Sequence, residues 1–256
     1  MTLFLRSALF NLLFFGWTAI LAIVCLPILL LPRKYLGFLQ RFWSRSMLWL
    51  LKHVVGITTE IHGREHLPDG ACLIASKHQS AWETVAYVTI LREPSFVLKR
   101  EILFIPIFGL YVWKARLVPI NRQAGAKALR RMLRSASEAA REARPIVIFP
   151  EGTRVAPGCR RSYQAGIAAL YQHLNLPVVP VALNSGLFWS RRSFVKRPGR
   201  IALEFLPPIS PGLNKRNFLA ALEKQIETAS ARLLAAKENP TTGGVDETVD
   251  KKEILP

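Results

Sequence analysis

The chain has 256 residues, half of them hydrophobic, and its 35 Lys and Arg residues against 17 Asp and Glu give a net charge of +18. This length allows one domain, or at most two, with a full hydrophobic core, and the composition excludes a chain that is disordered throughout. The positive charge indicates an anionic partner, which is nucleic acid, an anionic lipid surface or a phosphorylated substrate.

The first apolar segment favours a membrane among these partners. Residues 7–32 contain no charged side chain and exceed the roughly 20 apolar residues that a helix needs to cross a bilayer. The run is longer than the apolar core of a cleaved signal peptide, and it ends in Pro27 and Pro32. We therefore expect a retained anchor that either spans the bilayer or re-enters it as a hairpin bent at Pro27.

Flanking charges predict the orientation of this anchor. Arg6 alone precedes the apolar segment, whereas four cations follow it closely: Arg33, Lys34, Arg41 and Arg45. The positive-inside rule then places the protein at the inner (cytoplasmic) membrane with its body on the cytoplasmic face. The three cysteines are odd in number and have no C-x-x-C spacing, which fits a reducing compartment and predicts neither a disulfide framework nor a zinc site.

The next segments are apolar but differ in character. Residues 35–55 mix aromatic and aliphatic side chains with cations, which is typical of an amphipathic helix at a membrane surface or of a surface helix packed on the core. Residues 101–113 are too short to span a bilayer. They form either a buried core helix or an apolar wall for an acyl chain.

Apolar runs and helical stretches alternate through the body of the chain. The runs predict strands at 71–75, 95–98, 117–120, 146–149, 178–183 and 201–205. The helical pattern is clearest at 124–143, 162–174 and 215–237. We expect an α/β fold with a single domain, a central and mostly mixed sheet flanked by helices, and membrane-inserting helices before it. The predicted divisions are a membrane-anchoring segment at 1–55, a catalytic-type domain at 56–237 and a disordered tail at 238–256.

A histidine follows the first predicted strand of the body. His78 precedes Glu83 by five residues, and a carboxylate that orients an imidazole makes it a better general base. Ser80 is a suitable helix N-cap, so Ser80 with Glu83 also matches a capping box. Both roles for Glu83 remain open at this stage.

Cations follow three other predicted strands. Glu151, Gly152, Thr153 and Arg154 come after the strand at 146–149, and the arginine fork suits a phosphate group. Two more cations stand at strand ends, namely Lys99 and Arg122. Carboxyl ends of strands form the ligand crevice in α/β folds, so these positions predict a phosphate site near His78.

These residues resemble the motifs of the glycerolipid acyltransferases, and specifically the bacterial 1-acylglycerol-3-phosphate acyltransferases. The family's His-x4-Asp is matched at His78–Glu83, except that Glu replaces Asp. Its second motif, an apolar run ending in Arg, is matched at 118–122, its Phe-Pro-Glu-Gly-Thr-Arg in full at 149–154, and its apolar segment around a proline at 178–182.

The resemblance implies transfer of a fatty acyl group from acyl-CoA or acyl carrier protein to the 2-hydroxyl of lysophosphatidic acid, giving phosphatidic acid. It implies His78 as the catalytic base and Glu83 as the residue that orients it. The remaining site residues would bind the acceptor and its phosphate: Lys99, Arg122, Glu151, Gly152, Thr153 and Arg154. No metal or cofactor and no nucleic acid is expected, and membrane lipid is a further partner.

Two alternatives remain at this stage. The first is a member of the same family that acylates another lysophospholipid or a lyso-aminolipid. The second is a basic membrane-binding scaffold whose site is degenerate. The extra methylene of Glu83 lengthens its reach by about 1.5 Å relative to Asp, which the local backbone must absorb.

Overall fold

The computed structural model describes residues 2–121 and 125–238, in which one seven-stranded sheet lies between two layers of helices. The strands are β1 (Ile57–His62), β2 (Leu73–Ser76), β3 (Ser95–Lys99), β4 (Val118–Ile120), β5 (Ile146–Ile148), β6 (Val178–Leu183) and β7 (Gly199–Phe205). The helices are α1 (Leu3–Val24), α2 (Arg33–Leu50), α3 (Trp82–Ile90), α4 (Phe108–Lys114), α5 (Gly125–Arg141), α6 (Ala165–Leu174) and α7 (Lys215–Glu238).

The strand order in the sheet is β1-β7-β6-β2-β5-β3-β4. Strands β6, β2, β5, β3 and β4 run parallel, whereas β7 pairs antiparallel with β6 and parallel with β1. The prediction of a mixed sheet is therefore confirmed. The carboxyl ends of five neighbouring strands open on the same edge, where the loops after them meet.

Strand β2 shows why these short runs form a buried sheet. Leu73 and Ala75 face one hydrophobic cluster and Ile74 faces another, and all three are fully buried. Because side chains alternate between the two faces of a strand, apolar residues at every position require helices on both sides. Helices α5, α6 and α7 cover one face, and α1 and α3 contribute to the other.

Helices α1 and α2 form an antiparallel hairpin. A 3₁₀ turn, Leu26–Leu30, joins them, so the predicted break at Pro27 is present. Trp17 donates a hydrogen bond to Ser46 at 3.1 Å, and Trp43 donates one to Thr18 at 2.9 Å. In the described part of the chain, α1 is the one helix long and apolar enough to cross a bilayer, at 22 residues or about 33 Å.

The hairpin also packs on the body of the protein. Phe10 is fully buried in the core, and Ser7 accepts a hydrogen bond from the backbone N–H of Lys196 at 2.9 Å. The Lys196 ammonium lies 5.4 Å from the Trp189 ring centroid and 5.5 Å from that of Phe10. These contacts fix the amino-terminal half of α1 against the segment that precedes β7.

The apolar segment 101–113 is not buried. It forms a 3₁₀ turn, Arg100–Phe104, and most of α4, and its aromatic side chains Phe104 and Trp113 are about 70% exposed. The interpretation as a buried core helix is therefore wrong. Tyr111 donates a hydrogen bond to the Ala22 carbonyl at 2.8 Å, so α4 adjoins the carboxyl end of α1. The exposed apolar surfaces of α4 and the hairpin are thus neighbours.

A buried lysine joins α7 to the sheet edge. The Lys77 side chain, 2% exposed, lies 2.7 Å from Glu151 Oε1 and 2.8 Å from Glu227 Oε1. Tyr163 adds a hydrogen bond to Glu227 at 3.1 Å. Lys77 follows β2, Glu151 follows β5 and Glu227 lies on α7, so one ammonium holds three parts of the chain together. We call Lys77, Glu151, Glu227 and Tyr163 the Lys77 cluster.

Replacing Lys77 with Met is expected to destabilise the protein strongly. Two carboxylates would remain buried without their cation, and breaking a buried ion pair costs about 3–5 kcal/mol. Thermal unfolding of the purified variant should show a melting temperature lower by about 10 °C or more. Lys224→Met on α7, where the side chain is exposed, is the matched control and should melt close to the wild type. A Lys77→Met protein that melts within 2–3 °C of the wild type would contradict this account.

Candidate active site

Three loops meet at the edge where the parallel strands end. They follow β2, β5 and β6, and they carry His78, Glu151 and Ser185 respectively. Lys99 ends β3, two strands away from β2, which is about 10 Å at the usual strand spacing. Arg122, predicted at the end of β4, lies outside the described residues.

The His78 ring is fixed by stacking and by its backbone. It lies face to face with Phe149, with 3.8 Å between ring centroids and 16° between ring planes. The His78 N–H donates to Glu151 Oε2 at 3.2 Å, and its carbonyl accepts a hydrogen bond from Val155 at 2.8 Å. The loop after β5 therefore holds the histidine from three sides.

Glu83 lies against the inner nitrogen of His78. Its Oε2 is 3.5 Å from Nδ1, which is close enough for an ion pair but does not meet hydrogen-bond geometry. Nδ1 is fully buried, whereas the side chain as a whole is 12% exposed, so Nε2 is the nitrogen available to a ligand. Contacts of this length commonly shorten once a substrate is bound.

Glu83 also caps the helix that it begins. The carboxylate is fully buried and accepts backbone N–H bonds from Gln79 at 3.1 Å and from Ser80 at 3.0 Å. Ser80 Oγ in turn accepts a hydrogen bond from Trp82 N–H at 3.1 Å. Only part of the predicted capping box forms, because Glu83 accepts the N–H of Ser80 whereas Ser80 Oγ bonds Trp82 N–H and not the N–H of Glu83. The same carboxylate faces His78, so Glu83 both holds the helix start and adjoins the imidazole.

The loop after β6 contributes a residue that the sequence prediction did not include. Ser185 Oγ donates a short hydrogen bond, 2.5 Å, to Glu83 Oε1, and Gly186 N–H donates to the Gln79 side chain at 3.0 Å. A Cβ on Gly186 would lie only 2.9 Å from Gln79 Cβ, so glycine is needed for this close approach. The available signal was position, because Ser185 lies two residues after the end of the buried parallel strand β6.

The Glu151 side chain points into the protein rather than to the surface. It is 1% exposed and bound in the Lys77 cluster. Burial raises the pKa of this carboxyl, while the hydrogen bond and charge of Lys77 act in the opposite direction. Gly152 takes a left-handed conformation, φ 70°, and its N–H closes a turn onto Phe149 O at 2.9 Å, which brings half-buried Thr153 to the rim.

Arg154 offers a cation beside the dyad. Among the described residues its guanidinium makes no hydrogen bond or ion pair, although the side chain is half-buried. Burial lowers the pKa of Arg154, and the nearby Glu83 carboxylate opposes that effect. A half-buried guanidinium without a protein partner is suited to an anionic group of a ligand.

Comparison with known proteins agrees with these motifs. The Acyltransferase family model matches residues 58–184. A 1-acyl-sn-glycerol-3-phosphate acyltransferase of Pseudomonas aeruginosa is 33% identical over 235 residues, which cover 90% of this chain and 91% of that protein. The 1-acyl-sn-glycerol-3-phosphate acyltransferase alpha of Mus musculus is 28% identical over 212 residues, which cover 81% of this chain and 72% of that protein.

A solved structure shares the fold. The crystal structure of the 1-acyl-sn-glycerophosphate (LPA) acyltransferase PlsC from Thermotoga maritima matches with a TM-score of 0.75 at 19% identity, covering 91% of this chain and 98% of that one. Together with the Pseudomonas relative, this confirms the resemblance drawn from the four motifs and sets aside a non-enzymatic scaffold. The chain belongs to the 1-acyl-sn-glycerol-3-phosphate acyltransferase family of enzymes.

Proposed function

We propose that this enzyme transfers a fatty acyl group from acyl-CoA or acyl carrier protein to the 2-hydroxyl of 1-acylglycerol-3-phosphate, giving phosphatidic acid. The observation that carries the proposal is the His78–Glu83 pair beside the partner-free guanidinium of Arg154. This arrangement supplies a base for a hydroxyl and a cation for a phosphate on the same molecule. The names of the Pseudomonas and mouse relatives support the same acceptor.

In the proposed reaction, His78 Nε2 removes the proton of the acceptor hydroxyl as its oxygen attacks the thioester carbonyl. Glu83 stabilises the imidazolium through Nδ1. The tetrahedral intermediate collapses when the carbon–sulfur bond breaks, and the imidazolium returns its proton to the departing thiolate. The ester oxygen is the one that the acceptor supplied, and no metal or redox cofactor takes part in this scheme.

The acceptor phosphate would bind Arg154, with Lys99 and Arg122 as further cations for it. Lys99 is exposed at the end of β3, and Arg122 follows β4 in sequence. Thr153 and Gly152 are half-buried at the rim and would contact the acceptor. Glu151, which lies inside the protein, would shape the pocket by holding the His78 backbone and Lys77.

The membrane would supply both the acceptor and the anchor. Because α2 returns antiparallel to α1, the proposed hairpin enters and leaves on the same side of one leaflet rather than spanning the bilayer. Exposed aromatic side chains on α2 and α4, such as Phe38, Phe42 and Trp113, extend the same apolar surface. The cations of α2 favour the cytoplasmic face of the inner membrane.

His78→Ala is expected to lower kcat by about 10²–10⁴-fold, the usual contribution of a general base. The measurement is thiol release from acyl-CoA, or from acyl carrier protein, that depends on added 1-acylglycerol-3-phosphate. His62→Ala, which removes an exposed histidine from β1, is the matched control and should keep wild-type turnover. Equal turnover in His78→Ala and wild type would reject the proposed mechanism.

Glu83 is expected to tolerate Asp better than Ala. Glu83→Asp keeps the charge near the N–H groups of Gln79 and Ser80, whereas Glu83→Ala removes the partner of Nδ1 and should lower kcat about 10²-fold or more. Steady-state kcat across pH 5–9 distinguishes a loss of orientation from a loss of folding when thermal unfolding is measured on the same samples. Wild-type kcat in Glu83→Ala would remove Glu83 from the mechanism.

Arg154→Ala should weaken binding of the acceptor rather than binding of the donor. Loss of one charge-assisted contact with phosphate is expected to raise the KM for 1-acylglycerol-3-phosphate about 10- to 100-fold, with the donor KM unchanged. Monoacylglycerol, which has no phosphate, should react equally poorly with the variant and the wild type. Arg200→Ala on β7, an exposed arginine, is the control. If Arg154→Ala leaves the KM for 1-acylglycerol-3-phosphate unchanged, Arg154 does not bind the acceptor phosphate. That outcome would support the alternative that the natural acceptor lacks a phosphate.

A further inference from the structure

The loop after β6 carries a cation that none of the four sequence motifs includes. This loop begins in the candidate active site with Ser185 and Gly186, and Ser190 Oγ donates a hydrogen bond to Gly186 O at 2.6 Å, which closes one turn of the chain before Arg191. Arg191 Nη1 then donates a hydrogen bond to the Arg154 carbonyl at 3.1 Å. The Arg191 side chain therefore joins the loop after β6 to the loop after β5, and these two strands flank β2 in the sheet.

Packing and a tight turn hold Arg191 in place. Trp189, two residues earlier, is buried and packs edge-on against Phe10 of α1, with 5.5 Å between ring centroids. Directly after Arg191 the backbone turns back, and Ser193 N–H donates a hydrogen bond to Ser190 O at 3.2 Å. Arg191 thus lies at the tip of a short turn whose base is fixed to the membrane hairpin as well as to β6.

The peptide group between Arg154 and Val155 connects Arg191 to the histidine. Its carbonyl accepts the hydrogen bond from Arg191, and its N–H donates to the His78 carbonyl at 2.8 Å. Two hydrogen bonds and one peptide group therefore separate the Arg191 guanidinium from the His78 backbone. The cations predicted after β3 and β4 lie beyond β5, whereas Arg191 comes from β6 on the other side of β2. An acceptor phosphate beside Arg154 would thus have cations on both sides.

Arg154 and Arg191 place two positive charges close together without a paired acid. In the described ranges 2–121 and 125–238, neither guanidinium forms an ion pair with a carboxylate. Burial lowers the pKa of Arg154, the Glu83 carboxylate opposes that effect, and the charge of Arg191 lowers the pKa further. Two like charges repel each other, and an anion bound between them removes that repulsion. A phosphate monoester, with a charge of about −1.5 to −2 at pH 7, neutralises such a pair better than a phosphodiester, with a charge of about −1.

We propose that Arg191 is a second residue that binds the acceptor phosphate, and that with Arg154 it selects acceptors whose phosphate is a terminal monoester. A guanidinium binds best to two charged oxygens at once, and esterification of the phosphate to a further headgroup removes one of those oxygens. The pair would therefore discriminate against lysophospholipids that carry a phosphodiester. This inference rests on the proposed function for its reaction, but its binding test does not require turnover.

The first test compares two acceptors that differ by one methyl group, 1-acylglycerol-3-phosphate and its phosphate methyl ester, in micelles of neutral detergent. Wild type should have a kcat/KM about tenfold or more higher for the monoester. Arg191→Ala should raise the KM for the monoester about tenfold with kcat unchanged and should lose the preference, whereas Arg191→Lys should keep part of it. Arg197→Ala removes an exposed arginine from the same loop and is the matched control. An Arg191→Ala enzyme that keeps the wild-type preference, or that loses kcat with an unchanged KM, would overturn the proposal.

Direct binding separates this inference from the proposed reaction. Calorimetry with the full-length His78→Ala protein uses 1-hexanoylglycerol-3-phosphate below its critical micelle concentration, and adding Arg191→Ala should weaken binding about tenfold. If wild type acylates neither acceptor while this loss is observed, the proposed function fails and the phosphate site stands. If wild type acylates the monoester but Arg191→Ala binds it as tightly as the parent protein, the proposed function stands and this inference fails. A variant whose only defect is weaker binding to phosphatidylglycerol vesicles would assign Arg191 to bulk lipid headgroups and overturn the inference.

Discussion

The edge of the sheet that carries the candidate active site depends on one buried cation. Lys77 neutralises Glu151 and Glu227, which come from the loop after β5 and from α7, respectively. Without it, two carboxylates would face each other in the interior, and the loop that holds the His78 backbone would lose its attachment. Lys77, the residue before His78, thus has a structural role on which the chemistry of His78 depends. The position of the imidazole follows from an ion cluster rather than from the imidazole's own contacts alone.

The same edge explains how a glutamate can occupy a position at which the family pattern has aspartate. Glu83 reaches back over its own helix start, where the N–H groups of Gln79 and Ser80 hold its oxygens. The Ser185 hydroxyl donates from the other side. The additional methylene of Glu83 therefore lets one carboxylate accept the N–H bonds at the helix start and also approach His78. Fixed donors on three sides limit the rotamers of the longer side chain, which keeps its carboxylate oriented.

The sequence predicted most of the sheet because its strands are short apolar runs buried on both faces. The run at 178–183 matches β6 at both ends. Strand β1 was missed because Ile57–His62 contains Thr, Glu and His at a sheet edge, where one face is solvated, and its partner β7 is about 140 residues away. The Lys77 cluster was beyond prediction for the same reason: Lys77 and Glu227 are 150 residues apart, and only the packing of α7 brings them together. Hydrophobic periodicity indicates which positions within one segment are buried, whereas contacts between distant segments depend on the topology of the whole fold.

Charge is unevenly distributed along this edge, although the net charge of the whole chain is +18. Among the described residues, the buried acids are Glu83, Glu151 and Glu227, and all three lie around the loop that carries His78. Cations collect instead toward β3, β4 and α5, on the far side of the same edge. A cationic flank favours phosphate groups. Because β3 and β4 lie two and three strands from β2, the strand order keeps this cationic flank apart from the buried carboxylates around His78.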